Sequence, residues 1–202
     1  MSPPVLVAGA GYLGSAVALE LLERGVAVRA VVAPRHPSDA PQPPAVAMLR
    51  SAGAEVVARD LTTAEGRGGL CEGGVRTVVC CLAASLLRPV AGTIERVDRD
   101  ATIALFEELA AAASSGGGSE QQQQQRREPP PHFVLVATFE GRDARRCSRL
   151  HEAKEAAADH VAARAAEVGM RATIVRQERG CLLIWAERTS AMLVEVQSAP
   201  VV

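Results

Sequence analysis

The chain has 202 residues, of which 48% are hydrophobic and only 2% aromatic, and its net charge is −1. This length supports one well-buried domain whose core must rely on alanine and valine. The near-zero charge and the scarcity of aromatic rings exclude a typical nucleic-acid binder, because neither a basic face nor a base-stacking platform is available. No apolar run approaches the ~20 residues of a membrane-spanning helix, so no membrane partner is expected.

The clearest motif lies near the start of the chain. Residues Val5–Ala8 form a short apolar run typical of a strand, and Gly9, Gly11 and Gly14 follow it at the spacing G-x-G-x-x-G. Apolar residues then recur every fourth position, as on one face of a helix. A strand, a glycine turn and a helix in this order are the context that a dinucleotide-binding fingerprint requires. A glycine-rich turn without a ligand is the alternative.

Each glycine of this turn meets a different physical requirement. Gly9 permits the tight turn, Gly11 removes a Cβ where a pyrophosphate must approach, and Gly14 lets the helix pack close to the strand. The free N–H groups and the positive dipole end of the helix then face the phosphates. The turn residues predicted to bind the cofactor are Gly9, Ala10, Gly11, Tyr12, Leu13 and Gly14.

Strand-like and helix-like segments alternate through the rest of the chain. We predict further strands at residues 26–32, 54–58, 77–82, 133–137 and 172–175, and helices at 45–52, from before 97 to 113, and at 150–168. This alternation predicts an α/β fold with a doubly wound parallel sheet of about six strands, the Rossmann fold, as a single domain over residues 1–185. Residues 186–202 are interpreted as a C-terminal tail.

Residues 114–131 break the pattern with serine, glycine, a run of five glutamines and three consecutive prolines. This composition buries too little apolar surface to offset chain entropy, so it predicts a disordered low-complexity insertion.

The cysteines form neither a CxxC pair nor a metal-ligand spacing, so no metal site is expected. Free, largely buried thiols are typical of a reducing compartment. The first strand also begins too soon after Met1 for a leader peptide, and a cytoplasmic location is predicted. The five cysteines are Cys71, Cys80, Cys81, Cys147 and Cys181.

With these segments in place, the chain resembles the atypical, NmrA-like branch of the short-chain dehydrogenase/reductase superfamily over about residues 5–176. The matching stretches are the glycine turn, Asp60–Leu61, the strand that ends at Ala83–Ala84, and a helix carrying Lys154 followed by the strand 172–176. The resemblance implies an NAD(P)-binding oxidoreductase that acts on a small-molecule substrate the sequence does not identify.

The resemblance also implies roles for individual residues. Asp60 and Leu61 would contact the adenine, and the small residues Ala83 and Ala84 would let the nicotinamide ribose lie close. Lys154 would donate a hydrogen bond to that ribose.

The preferred dinucleotide depends on the residues after the second strand. An NAD site places a carboxylate there to accept hydrogen bonds from the ribose 2′-hydroxyl, but this chain has Ala33-Pro34-Arg35-His36. Arg35 can instead pair with a 2′-phosphate through charge-assisted hydrogen bonds, so NADP is favoured over NAD. An exposed arginine at a strand end without this role is the alternative.

Catalytic members of the superfamily use Tyr-x-x-x-Lys, and this chain departs from that pattern. The tyrosine position is Leu150, which transfers no proton, and the only tyrosine is Tyr12. His151 could act as a substitute acid, or it could simply face solvent. Thr138 stands where the family often places a substrate-binding serine, with simple capping of the strand end as the alternative.

The chain departs from the family pattern at two further places. The glycine turn is one residue shorter than in most members of the branch, and the substrate region also differs. The sequence after Arg176 is too short for a substrate lid of the usual size, so the family pattern is truncated at its C-terminus, or a homo-oligomer or protein partner completes the site. Two functions therefore stand: an NADP-dependent oxidoreductase, or a non-catalytic dinucleotide-binding sensor or partner-binding module.

Overall fold

The computed structural model describes residues 2–34, 44–84, 92–115, 129–139, 144–177 and 194–198. A mixed sheet forms the centre, and helices connect its strands. The strands are β1 Val5–Ala8, β2 Val28–Val32, β3 Glu55–Ala58, β4 Thr77–Cys80, β5 His132–Phe139, β6 Arg171–Gln177 and β7 Val194–Ser198. The helices are α1 Tyr12–Glu23, α2 Pro44–Ser51, α3 Ala64–Arg67, α4 Thr102–Ser115 and α5 Ala144–Glu167, and a π-helical segment, Glu95–Ala101, leads into α4.

The strand order is β3-β2-β1-β4-β5-β6-β7. Strands β1 to β6 are parallel, which confirms the predicted doubly wound sheet. The order reverses between β1 and β4, and this reversal is the switch point at which α/β sheets of this kind bind ligands beyond the carboxyl ends of their strands. The glycine turn and the loop after β4 therefore lie side by side.

A seventh strand was not predicted. β7 pairs with β6 in the antiparallel direction, so the segment interpreted as a tail contributes an edge strand to the sheet. Its sequence alternates valine with polar residues, which is typical of a strand with one covered face. The short run was too weak a signal to separate from a tail.

Several boundaries differ from the predictions. Helix α5 begins at Ala144 rather than at residue 150, and α4 extends to Ser115, into the predicted insertion. The Ser114 hydroxyl donates a hydrogen bond to the Ala110 carbonyl at 3.0 Å, which lets serine continue the helix. The rest of the predicted disordered insertion, residues 116–128, lies outside the described residues.

Both faces of the sheet are covered, because successive residues of one strand pack into two different hydrophobic clusters. Leu6 packs in a cluster with residues of α4 and α5, whereas Val7 packs in a second cluster with α1 and α2. In the first cluster, the rings of Phe106 and Phe133 meet edge to face with centroids 5.4 Å apart. The two layers hold the carboxyl ends of the strands in register.

Within the described parts of the chain, no helix is long and apolar enough to cross a membrane. Among the same residues, no group of three or more His, Cys, Asp or Glu side chains could hold a metal ion. The thiols of Cys71, Cys80 and Cys81 are free, and those of Cys71 and Cys80 are buried.

Replacement of Phe106 with alanine should destabilise the fold by about 3–5 kcal/mol, because it empties a fully buried site and removes the aromatic contact with Phe133. Met48→Ala is the matched control: its side chain is 55% exposed on α2, and its loss should change the free energy of unfolding by less than about 0.5 kcal/mol. Urea denaturation measures both. Equal stability of the two variants would contradict this description of the core.

Candidate functional site

The glycine turn after β1 brings three backbone segments into close contact. Gly9 has a φ of +83°, and a Cβ there would lie 2.9 Å from the carbonyl oxygen of Cys81. A Cβ on Gly14 would overlap the carbonyl oxygen of Gly9. Any side chain at either position would therefore push α1, or the residues that follow β4, away from the turn. Both glycines are required by the packing of the protein itself, as predicted for Gly14.

Gly11 differs from its two neighbours in the motif. An added Cβ would meet no atom of the described residues within 4 Å, and Gly11 is exposed. Its φ of −75° lies outside the left-handed region that favours glycine, and packing does not explain a glycine here. Open space at this point is what a ligand approaching the backbone requires.

The start of α1 faces the same space. Gly11 is its N-cap and provides no side-chain hydrogen bond to the helix, and the first turn carries no acidic residue. The first turn of a helix has N–H groups without partners inside the helix, and its positive dipole end attracts anions. Tyr12, the first residue of α1, is 74% exposed beside the turn. This combination fits a phosphate group.

The loop after β4 (residues 81–84) forms the other wall of the switch point. Its start is fixed by a hydrogen bond from the Cys81 N–H to the Ala8 carbonyl at 2.8 Å. The Lys154 ammonium donates to the Leu82 carbonyl at 2.7 Å. The Ala84 N–H donates to Asp98 Oδ2 at 2.9 Å. Side chains from two different helices therefore determine the course of this loop.

Lys154 and Asp98 also form a buried ion pair. Lys154 Nζ lies 2.9 Å from Asp98 Oδ1, and the two side chains are 6% and 0% exposed. The Lys154 ammonium therefore neutralises the carboxylate that also accepts the Ala84 N–H. The family resemblance predicted that Lys154 donates a hydrogen bond to the nicotinamide ribose. The structure gives it two partners within the protein.

Asp98 was missed by the sequence analysis. It lies in the run Glu95-Arg-Val-Asp-Arg-Asp100, whose dense charge is typical of a solvated helix face. The π-helical winding of Glu95–Ala101 turns Asp98 inward instead. A π-helical segment within a helix is often found at functional sites, but charge and periodicity do not reveal it.

Helix α5 also carries Leu150, at the tyrosine position of the family pattern, and His151, the predicted substitute acid. Leu150, one turn before Lys154, is buried with 8% exposure, whereas His151 is exposed. The inward face of α5 thus carries a hydrocarbon where the family pattern has a phenol. Thr138 lies near the carboxyl end of β5, where the pairing with β6 becomes irregular after Val136.

The predicted adenosine side lies beyond β2 and β3. Asp60 follows β3, and hydrogen bonds from the hydroxyl and the backbone N–H of Thr62 hold the pKa of its carboxyl below the ordinary value. The Leu61 side chain packs into the core, and its carbonyl accepts a hydrogen bond from Arg67 at 2.8 Å. Adenine contact by this pair stays a prediction. Arg35 and His36 lie outside the described residues.

The thiols near the site are poor nucleophiles. Burial raises the pKa of the Cys81 thiol to about 12, and it also raises the pKa of the Cys80 thiol. Both are therefore neutral near pH 7, and thiolate chemistry is not expected at the switch point.

No protein-family model matches the sequence, and no curated protein sequence is significantly similar to it. Solved structures do match. BdcA (YjgI) from E. coli superposes with a TM-score of 0.61 at 17% identity, covering 86% of this chain and 82% of that one. The NADH-dependent reductase A1-R' complexed with NAD gives 0.61 at 14% identity, covering 88% and 78%.

A metagenomic short-chain oxidoreductase in complex with NADP gives a TM-score of 0.60 at 18% identity, covering 88% of this chain and 83% of that one. At such low identity, the similarity concerns the fold. The chain therefore shares the Rossmann-type α/β fold of these structures.

Proposed function

We propose that this protein binds a nicotinamide dinucleotide at the switch point, with the pyrophosphate at the glycine turn. The observation that carries the proposal is the open space beside Gly11, at the start of a helix that has no side-chain cap. Gly9 and Gly14 are explained by packing, whereas no packing contact within the described residues accounts for Gly11, and a bound group would. A pyrophosphate fits both the space and the positive end of the helix.

The proposed ligand is NADP(H) rather than NAD(H). The segment that follows β2 carries Arg35 and no carboxylate before Asp39. Structural neighbours include complexes with NADP and with NAD, so the fold favours neither. The preference for NADP therefore depends on the charge of Arg35 and the missing acid.

The proposed activity is that of an oxidoreductase acting on a small molecule. A bound nicotinamide would supply the hydride chemistry, and the protein would orient it. Thr138 at the end of β5 and the exposed His151 on α5 are the residues proposed to contact the substrate or move a proton.

A second function is favoured by the inner face of α5. Leu150 is buried at the position of the missing tyrosine, and Lys154 is committed to Asp98 and Leu82. A non-catalytic dinucleotide-binding module, working as a redox sensor, would need no proton donor there. Oxidation of NADPH with a panel of carbonyl compounds distinguishes the two: turnover that falls in Thr138→Ala or His151→Ala supports the enzyme, and no turnover despite binding supports the sensor.

Gly11→Val should abolish dinucleotide binding and leave the fold intact. The new side chain would occupy the space proposed for the pyrophosphate, where an added Cβ meets no atom of the described residues within 4 Å. Wild-type protein should gain melting temperature with NADPH by mass action, and the variant should not. Gly14→Ala is the comparison: its Cβ would overlap the Gly9 carbonyl, so it should lower the melting temperature without any nucleotide. A Gly11→Val protein that is stabilised by NADPH as strongly as wild type would contradict the proposal.

Arg35→Ala should weaken NADPH binding by about 1–3 kcal/mol and leave NADH binding nearly unchanged, because only NADPH carries the 2′-phosphate. Arg24→Ala is the matched control. Arg24 pairs with Glu20 at the far end of α1, so its loss should affect neither nucleotide. Calorimetry measures all four affinities, and equal losses of NADPH and NADH in Arg35→Ala would show that Arg35 does not recognise the 2′-phosphate.

A further inference from the structure

The segment after β3 (residues 60–67) is folded into a compact turn. The Thr63 N–H and the Thr63 hydroxyl both donate to the Asp60 carbonyl at 3.1 Å, and the same hydroxyl accepts from the Gly66 N–H at 3.0 Å. A Cβ on Gly66 would overlap the Asp60 carbonyl oxygen. The backbone at Asp60 is therefore closely confined, although the residue is exposed.

Arg67, the last residue of α3, joins this turn to α4. Its Nη1 donates to the Leu61 carbonyl at 2.8 Å, and its Nε donates to Glu108 Oε1 at 3.2 Å. The Arg67 side chain is only 14% exposed. A guanidinium presents its donors in a rigid, planar fork. One side chain thus fixes the direction of the Leu61 carbonyl relative to α4.

The Leu61 carbonyl belongs to the same peptide group as the Thr62 N–H. That N–H donates to Asp60 Oδ1 at 2.9 Å, and the Thr62 hydroxyl donates to the same oxygen at 2.7 Å. Because the peptide group is planar, a side chain that orients the carbonyl also orients the N–H. The contacts that begin at Glu108 therefore pass through Arg67 and end at the carboxylate of Asp60.

Two hydrogen-bonding groups of this turn remain available. Within the part of the chain that the structure describes, Asp60 Oδ2 accepts no hydrogen bond and the Leu61 N–H donates none. An acceptor next to a donor matches the edge of adenine, which offers an amino group at C6 and an acceptor at N1. Hypoxanthine offers the reverse, an oxygen at C6 and an N–H at N1. A site built for one pattern rejects the other, because mismatched groups stay unpaired.

We propose that Arg67 is a positioning residue that, anchored by Glu108, holds Asp60 and Leu61 in the arrangement that selects adenine over hypoxanthine in the dinucleotide. This inference rests on the proposed binding of NADP(H). Arg67 acts through the Leu61–Thr62 peptide group rather than by touching the base. Its loss should therefore lower base selectivity without abolishing dinucleotide binding, because the glycine turn is unchanged.

Arg29 on β2 provides a matched control. Its Nε donates to Glu55 Oε2 at 2.9 Å, and its Nη1 donates to the Leu70 carbonyl at 3.1 Å. It thus joins a carboxylate to a backbone carbonyl, as Arg67 does, and its side chain is similarly buried, at 19% exposure. Arg29 is the second residue of β2, whereas Asp60 follows the carboxyl end of β3. Its loss should lower stability without reaching the base.

The test compares NADPH with reduced nicotinamide hypoxanthine dinucleotide phosphate, which differs from it only in the base. Wild-type protein should bind NADPH more tightly by about tenfold or more, the scale of one hydrogen bond to a charged group. In Arg67→Met/Glu108→Gln this ratio should fall to about threefold or less. Glu108 is replaced as well because burial already raises the pKa of its carboxyl, and Arg67 is its printed ion-pair partner.

Three further variants keep the result interpretable. Arg67→Lys keeps the charge beside Glu108 but lacks the planar fork, so it should fold even if the double variant does not, and it should also reduce the ratio. Asp60→Ala removes the acceptor itself and should reduce the ratio at least as far. Arg29→Met should lower the melting temperature and leave the ratio as in wild type.

A reduced ratio in the Arg67 variants, with the wild-type ratio in Arg29→Met, supports the inference. An unchanged ratio in the Arg67 variants, or an equal reduction in Arg29→Met, would overturn it, because Arg67 would then act on stability alone. Equal affinity of wild-type protein for the two nucleotides would also overturn it while leaving the proposed function intact. If wild-type protein binds neither nucleotide, the proposed function itself fails, and the inference falls with it.

Discussion

The close approach of Gly14 to the carbonyl of Gly9 is the constraint on which the site depends. With no Cβ at Gly14, the first turn of α1 can contact the turn after β1 directly, and the positive φ of Gly9 brings the same turn against the Cys81 carbonyl. The start of α1, the end of β1 and the start of the β4 loop are therefore one packed unit. The backbone of Gly11 also belongs to this unit, but packing does not require a missing side chain there, since an added Cβ would meet no atom of the described residues within 4 Å.

The second wall of the site is built from charge rather than from small residues. Asp98 and Lys154 lie more than fifty residues apart in the sequence, and they meet because the π-helical segment and α5 both cover the β4–β5 side of the sheet. Their partners are backbone groups of the β4 loop. The two walls thus differ in kind: one is fixed by the absence of side chains, and the other by a buried ion pair.

The sequence was sufficient to predict the parallel sheet and the positions of its strands, because short apolar runs separated by glycines and helical stripes carry a clear periodic signal. The role of Gly14 was predicted for the right physical reason, which is the close packing of α1 on the turn after β1. Asp98 could not be predicted, since its burial depends on a local change in helical winding. Burial of Leu61 and the pairing of β7 depend on tertiary contacts, which local patterns do not encode.

Hydrogen exchange of the backbone amides with and without NADPH tests the central claim, that a dinucleotide binds across the β1–β4 switch point, most directly. The nucleotide should slow exchange in residues 11–15, at the start of α1, and in residues 82–84, in the β4 loop. Residues 171–173, at the amino-terminal end of β6 and so away from the carboxyl ends of the strands, should exchange at the same rate with and without it. Unchanged exchange in both site segments at millimolar NADPH, or protection confined to another part of the chain, would contradict the account.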